Sequence, residues 1–156
     1  MKKEALIAAK AAYEIEYECI KGMLDYFDDE AFSKAVELLK DAPRIGTAGC
    51  GHSGIMCMHF AHLLCCIEQP ARFVSPAEAV HGAMGFLQAG DVMVLASRGG
   101  KTGELIPILE ICKKKGVKVI TVTENLTSPL ALGADVVLKQ YVNRETDKYR
   151  SEEAHV

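Results

Sequence analysis

Clustered basic residues are missing from this 156-residue chain, and so is any long uninterrupted apolar run. With a net charge of −3 it has no patch of grouped lysines and arginines able to neutralise a nucleic-acid backbone. Its one basic run, Lys113-Lys114-Lys115, closes a helical pattern, where three cations complement the C-terminal dipole without any partner. No stretch reaches the roughly 18 apolar residues of a membrane span. Acids also break up what would have to be the apolar core of a signal peptide in "MKKEALIAAKAAYEIEYE". The chain therefore reads as soluble and cytoplasmic, with no nucleic-acid or membrane partner. Disulfide spacing is lacking too: the six cysteines (19, 50, 57, 65, 66 and 112) include an adjacent pair, and four fall at positions expected to be buried. They read as reduced thiols packing like small apolar side chains. No internal repeat or low-complexity segment interrupts the chain.

What is present is 49% hydrophobic content, enough for one core and too little chain for two ordinary domains. Residues 1–40 are helical in pattern, two helices parted by Gly22 and "DYFDDE". From there β-branched runs alternate with helical ones: "RIGTAG" (44–49), "ARFV" (71–74), "VMVLAS" (92–97), "VKVITVT" (117–123) and "VVLKQ" (136–140). Strand and helix in alternation mean right-handed crossovers, hence an α/β fold with a parallel sheet and helices on both faces. Ser75-Pro76 with Glu78, and Ser128-Pro129, predict capped helix starts. Gly116 stops the helix that follows the third strand, and Pro107 predicts that this helix starts late or bends. We expect N-terminal helices over 1–40 packing on the domain or on a partner subunit, a domain over 41–146, and a charged tail over 147–156.

"GCGHSG" (49–54) joins the first strand to a helix expected to begin near Ser53. Unpaired N–H groups at a helix start suit an anion, and glycine lets backbone approach one. A dinucleotide site would also need an acid at the end of the second strand to hold ribose hydroxyls. That strand runs into Ser75 and Pro76 instead, which points to a single phosphate. A second turn of the same kind, "ASRGGKTGEL" (96–105), follows the third strand and adds Arg98 and Lys101. Two such turns on neighbouring strands imply a shared pocket where the strand order reverses.

With "GCGHSG", "SPAEAVHGAMG" (75–85), "SRGGKTGEL" and "TSPLALGADVVL" (127–138) the chain resembles the sugar isomerase (SIS) domain family, and within it the arabinose-5-phosphate isomerase branch. The resemblance covers roughly residues 35–146. It implies a flavodoxin-like three-layer sandwich with a five-stranded parallel sheet, a homodimer or homotetramer, and a small phosphosugar as ligand. Carried over position by position, Gly51, His52, Ser53, Ser97, Arg98, Gly99, Gly100, Lys101 and Thr102 form the phosphate-binding turns, while Glu104, His81 and Glu145 take the acid–base positions. The family usually has Ser where this chain has Gly99, Lys at His52 and Asp at Ala83. The charge of Arg98 or Lys101 stands in for the hydroxyl missing at 99.

The implied activity is aldose–ketose interconversion through an enediol, with no cofactor. A non-catalytic phosphosugar-binding or regulatory module is the alternative, favoured by Gly99 and His52. Each acid–base residue also has a plainer reading. Glu104 could sit in the first turn of its helix, His81 could be a C-terminal cap or a core histidine, and Glu145 an exposed tail residue. In "SGIMCMHFAHLLCC", His59, His62 and Cys66 share a helical face, but an acidic partner for them is missing because Leu63 stands where phosphoheptose isomerases carry it, so no metal is expected.

Overall fold

The computed structural model describes residues 2–146, without the side chain of Lys2; the charged segment expected at 147–156 lies outside the described residues. Its elements run α1 (Lys2–Gly22), a short 3₁₀ turn (Met23–Tyr26), α2 (Asp29–Asp41), β1 (Ile45–Gly49), α3 (Gly51–Cys66), β2 (Ala71–Phe73), α4 (Pro76–Ala79), a second 3₁₀ turn (Ala83–Phe86), β3 (Val92–Ala96), α5 (Ile106–Lys115), β4 (Lys118–Thr123), α6 (Pro129–Gly133) and β5 (Val136–Lys139). All five strand expectations hold to within two residues at each end. The chain divides into two compact units, Asp28–Gln140 and a terminal unit of Met1–Phe27 with Tyr141–Val156.

In the larger unit the five strands pair in parallel in the order β2-β1-β3-β4-β5, the flavodoxin-like arrangement. Alternate residues of each strand point to opposite faces, so one run of β-branched and aliphatic residues feeds two cores. Met93 and Leu95 pack with Leu105, Ile108, Leu109, Cys112 and Leu130 of the α5 and α6 side. Val92 and Val94 pack with Ala35 of α2 and Leu64 of α3 on the other.

The local signals act largely as expected. Ser128 caps α6, its hydroxyl accepting from the Ala131 amide at 3.3 Å. Gly116, at φ +72°, ends α5 in the left-handed conformation, and Pro107 lies in that helix's first turn. Ser75 takes the N-cap position of α4 as expected, but its side chain makes no capping bond; its carbonyl accepts from the Glu78 and Ala79 amides at 3.0 Å instead. With one turn of helix to cap, the backbone bonds suffice. The cysteine expectation needs a larger correction. Cys57 and Cys112 are buried, Cys19 and Cys50 only partly so, and Cys65 and Cys66 on the last turn of α3 are exposed, the Cys65 thiol donating to the Ala71 carbonyl at the start of β2 at 3.2 Å.

The terminal unit consists of α1 and its 3₁₀ turn with the chain after β5. Arg144 pairs with Glu18 at 2.6 Å, the Tyr26 and Tyr141 rings meet at 4.9 Å, and the Cys19 thiol donates to the Asn143 side-chain oxygen at 3.2 Å. Glu145 lies in this unit, half-buried.

Candidate functional site

Strand order reverses between β1 and β3: the chain leaves β1 for α3 on one face of the sheet and leaves β3 for α5 on the other. Two connections that part in this way open a crevice at the carboxyl end of the pair. Gly49 pairs with Ala96, so both glycine turns start from the same level of the sheet.

The first turn is a backbone construction. Helix α3 begins at Gly51, two residues earlier than expected, with Cys50 at its N-cap and a first helical bond from the Gly54 amide to the Cys50 carbonyl at 3.3 Å. Gly51, His52 and Ser53 thus supply the first-turn amides, whose N–H groups carry the positive end of the helix dipole. Of the three glycines, two serve packing. A Cβ on Gly54 would lie 2.6 Å from the Gly49 carbonyl oxygen, and one on Gly49 would lie 2.8 Å from the Ser53 backbone. Gly51 faces open space, and its φ of +55° rather than a close contact is what favours glycine there.

The second turn is held by side chains and by its neighbour. The Ser97 and Thr102 hydroxyls lie 2.7 Å apart, and the Gly100 amide donates to the Ser97 hydroxyl and carbonyl, both at 3.1 Å. From behind, the Arg98 carbonyl accepts from the Thr123 hydroxyl at 2.8 Å and the Glu124 amide at 3.1 Å, and the Gly100 carbonyl from the Leu130 amide at 3.1 Å. In a trans peptide the N–H points opposite to the preceding C=O. Anchoring those two carbonyls on the β4–α6 segment therefore turns the amides of Gly99 and Lys101 away from it. Gly100 has φ +65°, and a Cβ there would lie 2.0 Å from the Ser128 hydroxyl oxygen, so only glycine fits.

The two turns meet electrostatically. Burial pushes the Cys50 thiol up, and the Glu104 carboxylate of the second turn raises it further. Glu104 is exposed and lies just before the N-cap of α5 rather than in its first turn, still beside the positive end of that helix. The late start, with Leu105 at the N-cap, is what leaves Glu104 in the turn. Arg98 is ion-paired with Glu124 at 3.0 Å. Lys101 is exposed, and its stem folds over Gly99: a Cβ at 99 would find Lys101 Cγ at 3.9 Å and Cε at 4.0 Å. His52 is exposed at the start of α3. His81, on the segment leaving the carboxyl end of β2, is exposed and its amide donates to the Glu78 carbonyl at 3.0 Å, so it is not a core histidine. Glu145 belongs to the terminal unit rather than to the body carrying the turns.

Cys50, which the sequence marks only as one of six thiols, stands at the N-cap of α3 directly beside the glycines. His59 and His62 are both exposed on α3, and among the described residues no three His, Cys, Asp or Glu side chains gather into a group that could hold a metal ion.

A parallel sheet with helices on both faces and a glycine turn on each side of its switch point defines an α/β domain of flavodoxin-like strand order. The chain belongs to the SIS domain family, whose model matches residues 38–152. Among curated proteins it is 35% identical over 139 residues to arabinose 5-phosphate isomerase KdsD of Pseudomonas aeruginosa, covering 88% of this chain and 42% of that one. The chain thus spans less than half the length of the curated relatives it matches. Among solved structures it is similar to a Listeria monocytogenes protein provisionally described as a sugar-phosphate isomerase, with a TM-score of 0.92 and 37% identity over 96% of this chain and 78% of that one. An Escherichia coli CFT073 protein solved in complex with A5P superposes with a TM-score of 0.87 at 27% identity, over 96% and 79% of the two chains.

Proposed function

We propose that the domain binds a phosphosugar in the crevice between the two turns and interconverts its aldose and ketose forms, with arabinose 5-phosphate as the substrate. The observation that carries this reading is that both turns leave the sheet at one level, from Gly49 and Ala96 paired across β1 and β3, with the carboxylate of Glu104 on one raising the thiol at the N-cap of the other. An anchor and a proton carrier thus share one crevice. The amides of Gly51, His52 and Ser53, with the hydroxyls of Ser97 and Thr102 and the ammonium of Lys101, hold the phosphate. Holding it fixes the distance to C1 and C2, and remote binding energy is then spent on orienting the reacting carbons.

Glu104 removes the C2 proton of the open-chain aldose, the C–H electron pair forms the C1=C2 double bond, and the carbonyl π electrons move to O1, which takes a proton from His81 to give the enediol. The now neutral Glu104 carboxyl returns its proton to C1 while O2 gives its hydroxyl proton back to His81, leaving the C2 carbonyl of the ketose and both residues as they began. His81 opens the ring or polarises the carbonyl. Glu145, in the terminal unit, is given no step. The relatives' names and the A5P complex of the structural neighbour support this choice of substrate.

The test has two parts. Arabinose 5-phosphate is expected to raise the melting temperature while arabinose does not, and C2 deuterium exchange is expected in heavy water, lost in Glu104→Gln. Equal effects of the two sugars on melting would remove the phosphate seat and with it the proposal. Stabilisation without exchange would favour the other reading, a binding module without turnover, which the missing hydroxyl at Gly99 supports.

A further inference from the structure

The Arg98 carbonyl, in the second glycine turn, is gripped from the end of β4. The Thr123 hydroxyl donates to it at 2.8 Å and the Glu124 amide at 3.1 Å. Thr123 is 1% exposed, so its hydroxyl has no bulk water to turn to instead, and a buried donor without a partner is costly. Its oxygen in turn accepts from the Asn125 amide at 3.3 Å, which leaves the hydroxyl proton for Arg98. Glu124 also holds the Arg98 side chain, carboxylate to Nε, at 3.0 Å. One residue of the turn is thus fastened at its backbone and at its side chain by two consecutive residues.

Strands β4 and β1 flank β3 on opposite sides. The turn continues β3, so drawing its Arg98 carbonyl toward β4 leaves the next N–H facing the β1 side, because the two groups oppose one another across a trans peptide. The first glycine turn rises from the end of β1, level with the start of the second. The N–H in question belongs to Gly99, and it has no hydrogen-bond acceptor among the described residues. Position 99 carries no hydroxyl either, so this amide is the one donor it offers.

We propose that Thr123 is a positioning residue for the phosphate seat: without touching the ligand, its hydroxyl fixes the Arg98–Gly99 peptide so that the Gly99 amide donates to a phosphate oxygen. The inference rests on the seat proposed above and adds to it a donor and the group that aims it. An N–H already held in place forms a charge-assisted bond without being reoriented when the ligand arrives. A peptide left to rotate has to be ordered first, and the cost of ordering it is lost from the affinity.

Thr123→Val keeps the shape of the side chain and removes the hydroxyl, whereas Thr123→Ser keeps the hydroxyl. From the ligand dependence of melting, the Val variant is expected to bind arabinose 5-phosphate and inorganic phosphate about fivefold more weakly, and the Ser variant to stay within about twofold of wild type. Thr47→Val is the control: that hydroxyl is equally buried and donates to the Cys57 carbonyl at 2.8 Å, away from the second turn. It should lower the melting temperature of the free protein and leave both affinities unchanged. In nitrogen–proton spectra, inorganic phosphate should move the Gly99 amide resonance of the wild type, and move it less in Thr123→Val. The wild-type spectrum decides the matter even where the Val variant does not fold. An unmoved Gly99 resonance, equal affinities in wild type and Thr123→Val, or equal losses in the Val and Ser variants or in Thr47→Val would overturn the proposal and leave the seat standing. A wild type protected by neither ligand would overturn the seat itself, and this inference with it.

Discussion

The two glycine turns occupy equivalent places at the ends of paired strands and are built by opposite means. The first is backbone against backbone: the end of β1 and the first turn of α3 touch through Gly49 and Gly54, with no side chain between them. The second is a web of hydroxyls, Ser97, Thr102, Thr123 and Ser128, wrapped around a left-handed glycine. A turn of the first kind is rigid and indifferent to side-chain chemistry. A turn of the second kind can be retuned by substitution, and it carries the residues assigned to phosphate and proton transfer.

The largest test of this contrast is Gly54→Ala. Its methyl meets a carbonyl oxygen that has nowhere to go, so a loss of about 3 kcal/mol in urea unfolding is expected, with no single side-chain change elsewhere restoring it. Gly100→Ala should cost about 2 kcal/mol, part from the left-handed backbone and part from the collision with Ser128. Here Ser128→Gly added to the variant should recover about 1 kcal/mol, because the colliding atoms are removed. Failure of that rescue would make the second turn as backbone-bound as the first. Ser97→Ala, which loses bonds to Thr102 and to the Gly100 amide, is expected to cost about 1 kcal/mol in stability. The same variant should weaken protection by a phosphosugar roughly tenfold, read from the ligand dependence of melting.

The smallest effect probes the meeting of the turns. Glu104 helps to hold the Cys50 thiol protonated, so Glu104→Gln should lower that thiol's pKa and raise its thiolate fraction at mildly alkaline pH. Alkylation of Cys50 followed by mass spectrometry should then speed up by a small factor. An unchanged rate would separate the turns. Cys57 provides the internal control, since burial pushes its thiol up to about 11 and it should stay unreactive in both proteins.

Strands were legible because β-branched runs bounded by glycine, proline and serine leave few alternatives, and the switch point followed from their order. The end of α5 could be read from Gly116, and its late start from Pro107, since each acts on its own backbone. Only Cys57 and Cys112 of the four cysteines expected at buried positions are fully buried, because burial depends on which neighbour packs against a given side of an element, which no local pattern states. Within the candidate site the turns could be named residue by residue. The division of labour among their glycines could not, because it depends on distances between backbones brought together by the fold.

The Arg44 guanidinium and the buried Asp91 carboxylate meet at 2.9 Å at the opposite end of the same two strands that carry the turns. With β1 and β3 stapled at their amino ends and laddered from Ile45 opposite Val92 up to Gly49 opposite Ala96, neither strand can creep past the other. Any change in the gap between the glycine turns would have to come in whole-residue jumps of about 3.3 Å, each of which also swaps every side chain to the wrong face. On the proposed reading, accommodating a longer or bulkier sugar falls to exposed side chains such as those of His52, His81 and Lys101, while the gap between the turns keeps a single gauge.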